Sequence, residues 1–252
     1  MHSETIDVPT PDGVANAYLA RPDDNPHPGV LFIMDAFGLR PTVEEMVRRI
    51  AADGYVVLAP NVFYRAGRDP TGPVPDLADP DQRASFFQAL RPLFEALTPD
   101  RVAADGGAYL DYLNQVAAPG PVAITGYCMG GRLGWQIAAA YPDRVAALGA
   151  FHTAGLVSEG PDSLHGLAER ITAELYFGFA DQDQNMTAEQ IATFEKALEE
   201  AGANYRSEVY EGAAHGYTMA DTAAFGEEAR ERHFRELREL LGRNLGGQAP
   251  AS

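Results

Sequence analysis

Short apolar runs along the chain predict a series of buried β-strands. The run GVLFIM at residues 29–34 is almost uniformly apolar, which is typical of a strand buried on both faces. Before it, residues 5–8 and 14–20 have an extended pattern on either side of a turn at 11–13, which predicts two antiparallel strands. Further apolar runs predict strands over residues 55–59, 121–125, 145–151, 174–179 and 206–210.

The segments between these runs predict helices. One begins at Thr42, which has Glu45 three residues later in the arrangement of a capping box, and it runs to Ala52. A second pair of this kind, Thr187 and Gln190, marks the start of a helix. Since strands alternate with helices, we predict an α/β fold whose mostly parallel sheet has helices on both faces. The remaining helices are predicted over residues 80–95, 99–117, 130–141, 187–201 and 221–242.

Chain length and loop composition predict a single domain over residues 1–252. The chain has 252 residues, of which 46% are hydrophobic, and this is enough for one sizeable core. Residues 64–79 are rich in Gly, Pro and Asp, and they predict a long surface loop at the rim of the functional site rather than a domain boundary. Residues 243–252 are expected to form a frayed tail.

Composition argues against several kinds of partner and location. The formal net charge is -17, and so acidic a surface repels nucleic-acid phosphates and anionic membranes. No apolar run approaches the roughly 18 residues that a membrane span needs. The chain has one cysteine and therefore no internal disulfide, and its first residues lack the features of a signal peptide. We therefore expect a soluble cytoplasmic protein with neither a nucleic-acid nor a membrane partner.

The single cysteine, Cys128, lies in the segment ITGYCMGG, where a predicted strand leads through a glycine-rich turn into a helix. Gly126 and Gly130 flank it in the pattern of a nucleophile elbow, with Cys in the place of Ser. The glycines let strand and helix approach closely, and the helix N-terminus favours a thiolate. We therefore predict that Cys128 is a nucleophile rather than a buried structural cysteine, with the Met129 N–H as an oxyanion donor.

A nucleophile elbow also needs a general base, and His215 is the candidate. His215 follows the last predicted strand, and its small neighbours allow the ring to reach the elbow. His152 is the main alternative, just past the strand that ends at Phe151, but its position in the chain order is wrong for the base. We expect His165, in a loop, and His233, in a helix of mixed charge, to be solvated.

Two aspartates compete for the role of the acid that orients the base. Asp183 lies four residues before Thr187, and this spacing favours it. Asp181 lies three residues after Gly178, and it remains the alternative. The aspartate that does not take this role is expected to bond turn amides.

The loop after the strand at 29–34 is expected to supply a second oxyanion donor. It reads DAFGLR over residues 35–40, and the Ala36 N–H is the candidate. Asp35 is an acid at the carboxyl end of a strand, where the sites of α/β proteins lie. It either takes part in the site or caps its own loop.

Taken together, these residues resemble the dienelactone hydrolase family of α/β hydrolases. The resemblance covers most of the chain, and its most specific part is the cysteine-centred elbow. It implies an α/β-hydrolase fold, with Cys128 as nucleophile, Asp183 as acid and His215 as base. The matching segments are DAFG at 35–38, DGY at 53–55, PNVFYR at 60–65, GYCMGG at 126–131 and AHG at 214–216.

Two departures from the family pattern concern the site and its substrate. The family usually has Glu at the position of Asp35. The resemblance implies that this residue contacts the cysteine in the resting enzyme, and the shorter Asp would weaken that contact. The family also holds a substrate carboxylate with arginines, one of them shortly after the catalytic His, but no Arg follows His215 in GYTM. Arg83 is a candidate for the cation that would hold such a carboxylate, although a position on the helix surface is the simpler interpretation of this residue. Four aromatic residues are predicted to line the pocket or to belong to the core: Tyr64, Tyr127, Trp135 and Tyr217.

The predicted function is hydrolysis of a small ester, lactone or thioester through an acyl-enzyme on Cys128. Tyr64, Tyr127 and Asp35 are the candidate substrate or resting-state contacts, and no metal or cofactor is expected. One alternative is a non-catalytic binding or regulatory protein on the same scaffold. Another is a metal-dependent hydrolase, although no H-E-x-x-H or paired Cys/His spacing supports it. The sequence leaves the particular substrate and the oligomeric state open.

Overall fold

An eight-stranded sheet lies at the centre of the computed structural model, which describes residues 1–77, 79–160 and 163–246. The spatial order of the strands is β1-β2-β4-β3-β5-β6-β7-β8, with β2 antiparallel to both β1 and β4 and the other neighbours parallel. This confirms the predicted hairpin and the mostly parallel sheet. The strands are β1 (His2–Thr10), β2 (Gly13–Arg21), β3 (Gly29–Ile33), β4 (Val56–Pro60), β5 (Val122–Tyr127), β6 (Val145–Phe151), β7 (Glu174–Gln182) and β8 (Tyr205–Ala214).

Helices cover both faces of the sheet, as predicted. Successive residues of β6 show this, because Leu148 lies against the helix after β5 while a Cβ at Gly149 would meet the C-terminal helix. In the described ranges, no helix is long and apolar enough to cross a membrane. The helices are α1 (Pro41–Ala52), α2 (Pro80–Glu95), α3 (Pro99–Val116), α4 (Met129–Ala140), α5 (Ala188–Glu200) and α6 (Glu227–Leu245).

The starts of α1 and α6 differ from the prediction. Helix α1 begins at Pro41, and Arg40 is its N-cap without a side-chain cap, so the capping box at Thr42 is wrong. Proline has a backbone angle suited to the first helical position, which explains the earlier start. Helix α6 begins at Glu227 rather than at residue 221. The capping box at the start of α5, by contrast, is present as predicted.

The last helix extends into the segment that was predicted to be frayed. Helix α6 continues to Leu245, where a frayed segment from residue 243 was expected. Arg243 and Asn244 both donate hydrogen bonds to Glu174 at the start of β7, and these contacts hold the last turn against the sheet. Residues 247–252 lie outside the described residues.

The predicted loop at 64–79 begins with a short 3-10 turn at Tyr64–Ala66. Further along, the hydroxyl of Thr71 donates to the backbone oxygen of Phe37, at 3.1 Å. This contact places part of the loop against the segment that follows β3. Ala78 lies outside the described residues.

The strands β7 and β8 continue beyond their predicted ends. The apolar pattern predicts ends at residues 179 and 210, whereas the strands reach Gln182 and Ala214, which pair with each other across a register shift. Their added residues are mostly exposed, so the hydrophobic pattern carried no signal for them. The extension brings the segment after β7 beside the segment after β8.

The elbow between β5 and α4 is packed against the end of β3. A Cβ on Gly130 would overlap the backbone oxygen of Ile33 and would lie 2.5 Å from that of Met34. A Cβ on Gly126 would overlap the backbone of Gly130. Strand and helix meet so closely here that neither position has room for a side chain.

Replacing Gly130 with alanine should therefore lower the free energy of unfolding by about 1–3 kcal/mol, because added volume forces the packed backbone apart. Gly242→Ala is the matched control, since a Cβ there meets nothing within 4 Å in helix α6. It should be neutral or raise stability by about 0.5–1 kcal/mol. Urea unfolding measures both variants, and equal midpoints would contradict the close approach at Gly130.

Candidate active site

Cys128 lies at the turn between β5 and α4 in a strained backbone conformation. Its φ is 55° and its ψ is -120°, and a positive φ is uncommon for a residue other than glycine. The Cys128 N–H donates to the backbone oxygen of Phe151 in β6, and the Cys128 oxygen accepts from Gly131. The side chain is partly exposed at the N-terminus of α4. These contacts present the sulfur at the carboxyl edge of the sheet, as the elbow pattern predicts.

His215 and Asp183 lie in contact with this cysteine. His215 Nε2 is 3.0 Å from Cys128 Sγ, and His215 Nδ1 is 2.6 Å from Asp183 Oδ2. The Asp183 side chain is only 1% exposed, and its other oxygen accepts from the backbone N–H of Asn185. The structure thus brings together the three residues to which the sequence assigned nucleophile, base and acid.

Asp181, the alternative acid, points elsewhere. Its carboxylate accepts from the backbone N–H of Gly212 at 3.0 Å, and the residue is exposed. Asp181 therefore bonds a backbone amide of the neighbouring strand β8, and not the turn amide that was expected. Of the two aspartates, Asp183 has the geometry of the orienting acid.

The pKa of His215 reflects its two neighbours. Burial lowers this pKa, but the charge of the Cys128 thiolate and the hydrogen bond to Asp183 raise it more, to about 10. At neutral pH the imidazole is therefore protonated, so that Nε2–H donates to the sulfur and Nδ1–H donates to the carboxylate. The contacts at both ring nitrogens thus favour the protonated form of the His215 imidazole.

His152 packs on His215 but does not replace it. The two rings meet edge to face with centroids 5.3 Å apart, and His152 is fully buried. Its Nε2 lies 2.7 Å from the hydroxyl of Thr218, while burial and the charge of His215 hold its pKa well below the usual range. His152 is therefore neutral and supports the ring of His215.

The remaining histidines correct two expectations. His233 was expected to be solvated, yet it is fully buried in α6, where its Nε2 lies 2.8 Å from the hydroxyl of Tyr127. His165 is partly buried in a 3-10 turn, and its Nδ1 lies 2.7 Å from the Ser163 hydroxyl. The partner of His233 is distant in the sequence, and the partner of His165 lies in an irregular segment. Hydrophobic periodicity reveals neither kind of contact.

The two backbone N–H groups predicted as oxyanion donors have no hydrogen-bond acceptor among the described residues. Met129 is the first residue of α4, so its N–H has no acceptor within the helix. The N–H of Ala36 donates to no group in the part of the chain that the structure describes. The strands that lead to them, β3 and β5, are adjacent and parallel, and Ile33 pairs with Gly126.

Asp35 has a partner other than the one the family resemblance implies. Its two oxygens accept from Arg40, at 2.6 and 3.0 Å, and Arg40 also donates to Asp221 in the segment after His215. Burial raises the pKa of Asp35, and Arg40 opposes part of that rise. The expected contact with the cysteine is therefore corrected to an ion pair with Arg40. The sequence offered one signal for it, an arginine five residues after the aspartate.

The aromatic residues predicted to line the pocket belong to the core instead. Tyr127, Trp135 and Tyr217 are fully buried, and Tyr64 is 7% exposed. The substrate contacts expected of Tyr127 and Tyr64 are corrected accordingly, because the Tyr64 hydroxyl donates to Asp105 and that of Tyr127 bonds His233. An apolar contact that the sequence reading missed joins Phe37, beside Ala36, to Phe86 in α2.

Neither the candidate cation nor the alternative metal site gains support from the geometry. Arg83 is exposed on α2 and donates to the backbone oxygen of Leu77. Among the described residues, no group of three His, Cys, Asp or Glu side chains is placed to hold a metal ion. A cavity of about 420 Å³ lies at the amino end of β5, the opposite edge of the sheet from Cys128.

The two neighbours of His215 should be visible in its titration. The imidazole should stay protonated up to about pH 10 in the native protein. Cys128→Ala and Asp183→Asn should each lower that pKa, because each removes a contact that favours the imidazolium. NMR of the histidine ring carbons across pH measures it, and Asp181→Asn serves as the control that should leave it unchanged. A native pKa of His215 near 6.5 would mean that these contacts do not favour the imidazolium.

The chain is similar to known proteins over most of its length. The model of the dienelactone hydrolase family matches residues 15–245. A putative carboxymethylenebutenolidase of Escherichia coli (strain K12) is 27% identical over 250 residues, which cover 96% of this chain and 86% of that protein. A carboxymethylenebutenolidase homolog of Mus musculus is 27% identical over 203 residues, or 80% of this chain and 75% of the relative.

The same similarity appears in three dimensions. The crystal structure of a putative dienelactone hydrolase from Klebsiella pneumoniae superposes with a TM-score of 0.84 at 23% identity, covering 96% of this chain and 98% of that one. This likeness confirms the predicted α/β-hydrolase fold. The matches together confirm the predicted enzyme class, a carboxylic ester hydrolase. The chain belongs to the dienelactone hydrolase family.

Proposed function

We propose that this enzyme hydrolyses small esters or lactones through a covalent acyl-enzyme on Cys128. The observation that carries the proposal is the contact chain from Cys128 through His215 to Asp183, at 3.0 and 2.6 Å. A thiolate beside an imidazolium is an activated nucleophile. The helix N-terminus at the same sulfur adds to that activation.

In the first half of the reaction, the Cys128 thiolate attacks the carbonyl carbon and forms a C–S bond. The carbonyl oxygen becomes an oxyanion, and the N–H groups of Met129 and Ala36 donate to it. Collapse of this intermediate breaks the bond to the alcohol oxygen, which takes the Nε2 proton of His215. The products of this half are the free alcohol, a thioester on Cys128 and a neutral imidazole.

In the second half, His215 takes a proton from water as the water oxygen attacks the thioester carbon. The C–S bond breaks, the carboxylic acid leaves and the thiolate returns beside a protonated His215. Asp183 accepts from Nδ1–H throughout, and this fixes the ring orientation. His152, packed edge-on against the same ring, limits its movement.

The names of relatives support a lactone or a small ester as the substrate. The bacterial relatives are named putative carboxymethylenebutenolidases, a lactone-hydrolysing activity. We further propose that the enzyme works in the cytoplasm, because a single free cysteine without disulfides is typical of proteins from a reducing compartment.

Removing the nucleophile tests the proposal directly. Cys128→Ala should lower kcat/KM for p-nitrophenyl acetate by at least about 1000-fold, as loss of an essential nucleophile does elsewhere. One equivalent of iodoacetamide should inactivate the native enzyme to the same extent, because Cys128 is the single cysteine of the chain. Circular dichroism of the variant controls for folding.

Two outcomes would contradict the proposal. Substantial activity in folded Cys128→Ala would mean that another group is the nucleophile. Native enzyme that binds esters, lactones and thioesters without hydrolysing any would favour a binding or regulatory role.

A further inference from the structure

One arginine joins the loop after β3 to the segment after His215. All five N–H groups of the Arg40 guanidinium donate hydrogen bonds. Two go to Asp35, at 2.6 and 3.0 Å, two go to Asp221, at 2.6 and 3.2 Å, and one goes to the backbone oxygen of Gly38, at 3.2 Å. The side chains of Arg40 and Asp35 are only 10% and 3% exposed. A guanidinium that is covered and has every donor in use is held in one orientation.

The Asp35 end of this bridge orders the loop that contains Ala36. Asp35 Oδ1 also accepts from the backbone N–H of Phe37, at 3.1 Å, and the Asp35 backbone oxygen accepts from that of Gly38, at 3.4 Å. The N–H of Ala36 lies between these bonded groups and has no acceptor among the described residues. Asp35 and Arg40 therefore hold the loop and leave the Ala36 N–H free to donate to a substrate oxygen.

The Asp221 end of the bridge belongs to the segment that begins with the base. Asp221 lies six residues after His215, and burial raises its pKa, but the hydrogen bond and the charge of Arg40 lower that pKa more. Successive turns connect the two residues. Their backbone N–H groups donate to oxygens three residues earlier, in the pairs Tyr217 with Ala214, Met219 with Gly216 and Thr222 with Met219. The position of Asp221 is thereby linked to that of His215.

We propose that Arg40 is a positioning residue for ester hydrolysis, which keeps the Ala36 N–H at a fixed place relative to His215. Arg40 acts through Asp35 and Ala36, and it contacts neither the substrate nor the reacting atoms. A donor stabilises a developing oxyanion only if it is already in place when the charge forms. The inference rests on the proposed function, because the oxyanion forms when Cys128 attacks a carbonyl carbon.

Two reactions of the same thiolate separate this role from a structural one. Attack on p-nitrophenyl acetate creates an oxyanion, whereas alkylation by iodoacetamide forms a C–S bond, releases iodide and creates none. We expect Arg40→Gln to lower kcat/KM for the ester by about 100-fold, because misplacing a group by about 1 Å can cost that much. The alkylation rate should be unchanged, because the contact of Cys128 with His215 remains. Intact-protein mass spectrometry gives that rate, since the chain has one cysteine.

A second arginine offers a matched control. Arg206 also joins two carboxylates, those of Glu208 and Glu236, but it lies near the amino end of β8, away from the edge of the sheet that carries His215. Arg206→Gln should therefore leave both rates unchanged. Arg40→Lys should keep only part of the ester activity, because an ammonium does not pair with both carboxylates as a planar guanidinium does.

Asp221→Asn tests the bridge while the buried pair of Asp35 and Arg40 stays intact, so it also serves if Arg40→Gln fails to fold. We expect it to lower kcat/KM for the ester by about tenfold, as the loss of one charge-assisted contact does, and to leave alkylation unchanged. Hydrogen exchange of the amides at 35–40 should be faster than in the native enzyme. In the Arg40→Gln background the same change should cause no further loss, because both residues act through one contact.

The outcomes distinguish this inference from the proposed function. Full ester activity in Asp221→Asn, or in folded Arg40→Gln, would overturn the inference alone. Equal losses of hydrolysis and alkylation would also overturn it, because they would assign the effect to the reactivity of Cys128 rather than to the oxyanion. Native enzyme that hydrolyses no ester, or Cys128→Ala that keeps its activity, would reject the proposed function and the inference with it.

Discussion

The close approach of backbone around Cys128 is the constraint on which the rest of the site depends. Strand β5 and helix α4 meet at a residue with positive φ, and Gly130 lies so near Ile33 and Met34 that no side chain fits. The turn places the sulfur at the helix N-terminus and fixes its distance from the segment after β3. Strain of this kind persists only where the surrounding packing enforces it. Cys128 and the Met129 N–H both derive their positions from this one turn.

The order of the strands brings the base and its acid to the elbow. Cys128 follows β5, and two further parallel strands, β7 and β8, carry Asp183 and His215 to the same edge of the sheet. The two strands extend past the apolar part of their sequence, and their last pairing, Gln182 with Ala214, sets the acid beside the base. A contact of 2.6 Å between residues 32 positions apart is thus a product of sheet register.

The sequence was sufficient for the fold and for the meeting of Cys128 with His215, whereas it left the acid open between Asp183 and Asp181. Apolar runs and the glycine spacing around Cys128 are local signals, and the order of acid and histidine can be read along the chain. Asp35 shows the limit of such reasoning, because its partner Arg40 also pairs with Asp221, far along the chain. Tyr127 shows the same limit, because its hydroxyl is hydrogen-bonded to His233 in the last helix, α6. Burial and pairing of polar groups depend on three-dimensional contacts that no periodicity encodes.

Trapping the acyl-enzyme tests the central claim most directly. Native enzyme mixed with p-nitrophenyl acetate, quenched in acid within the first turnover and digested, should carry one acetyl group, as a thioester on the peptide that contains Cys128. Hydroxylamine should remove the group, as expected of a thioester. A burst of nitrophenol equal to the enzyme concentration, with the acetyl group on another residue, would contradict the account.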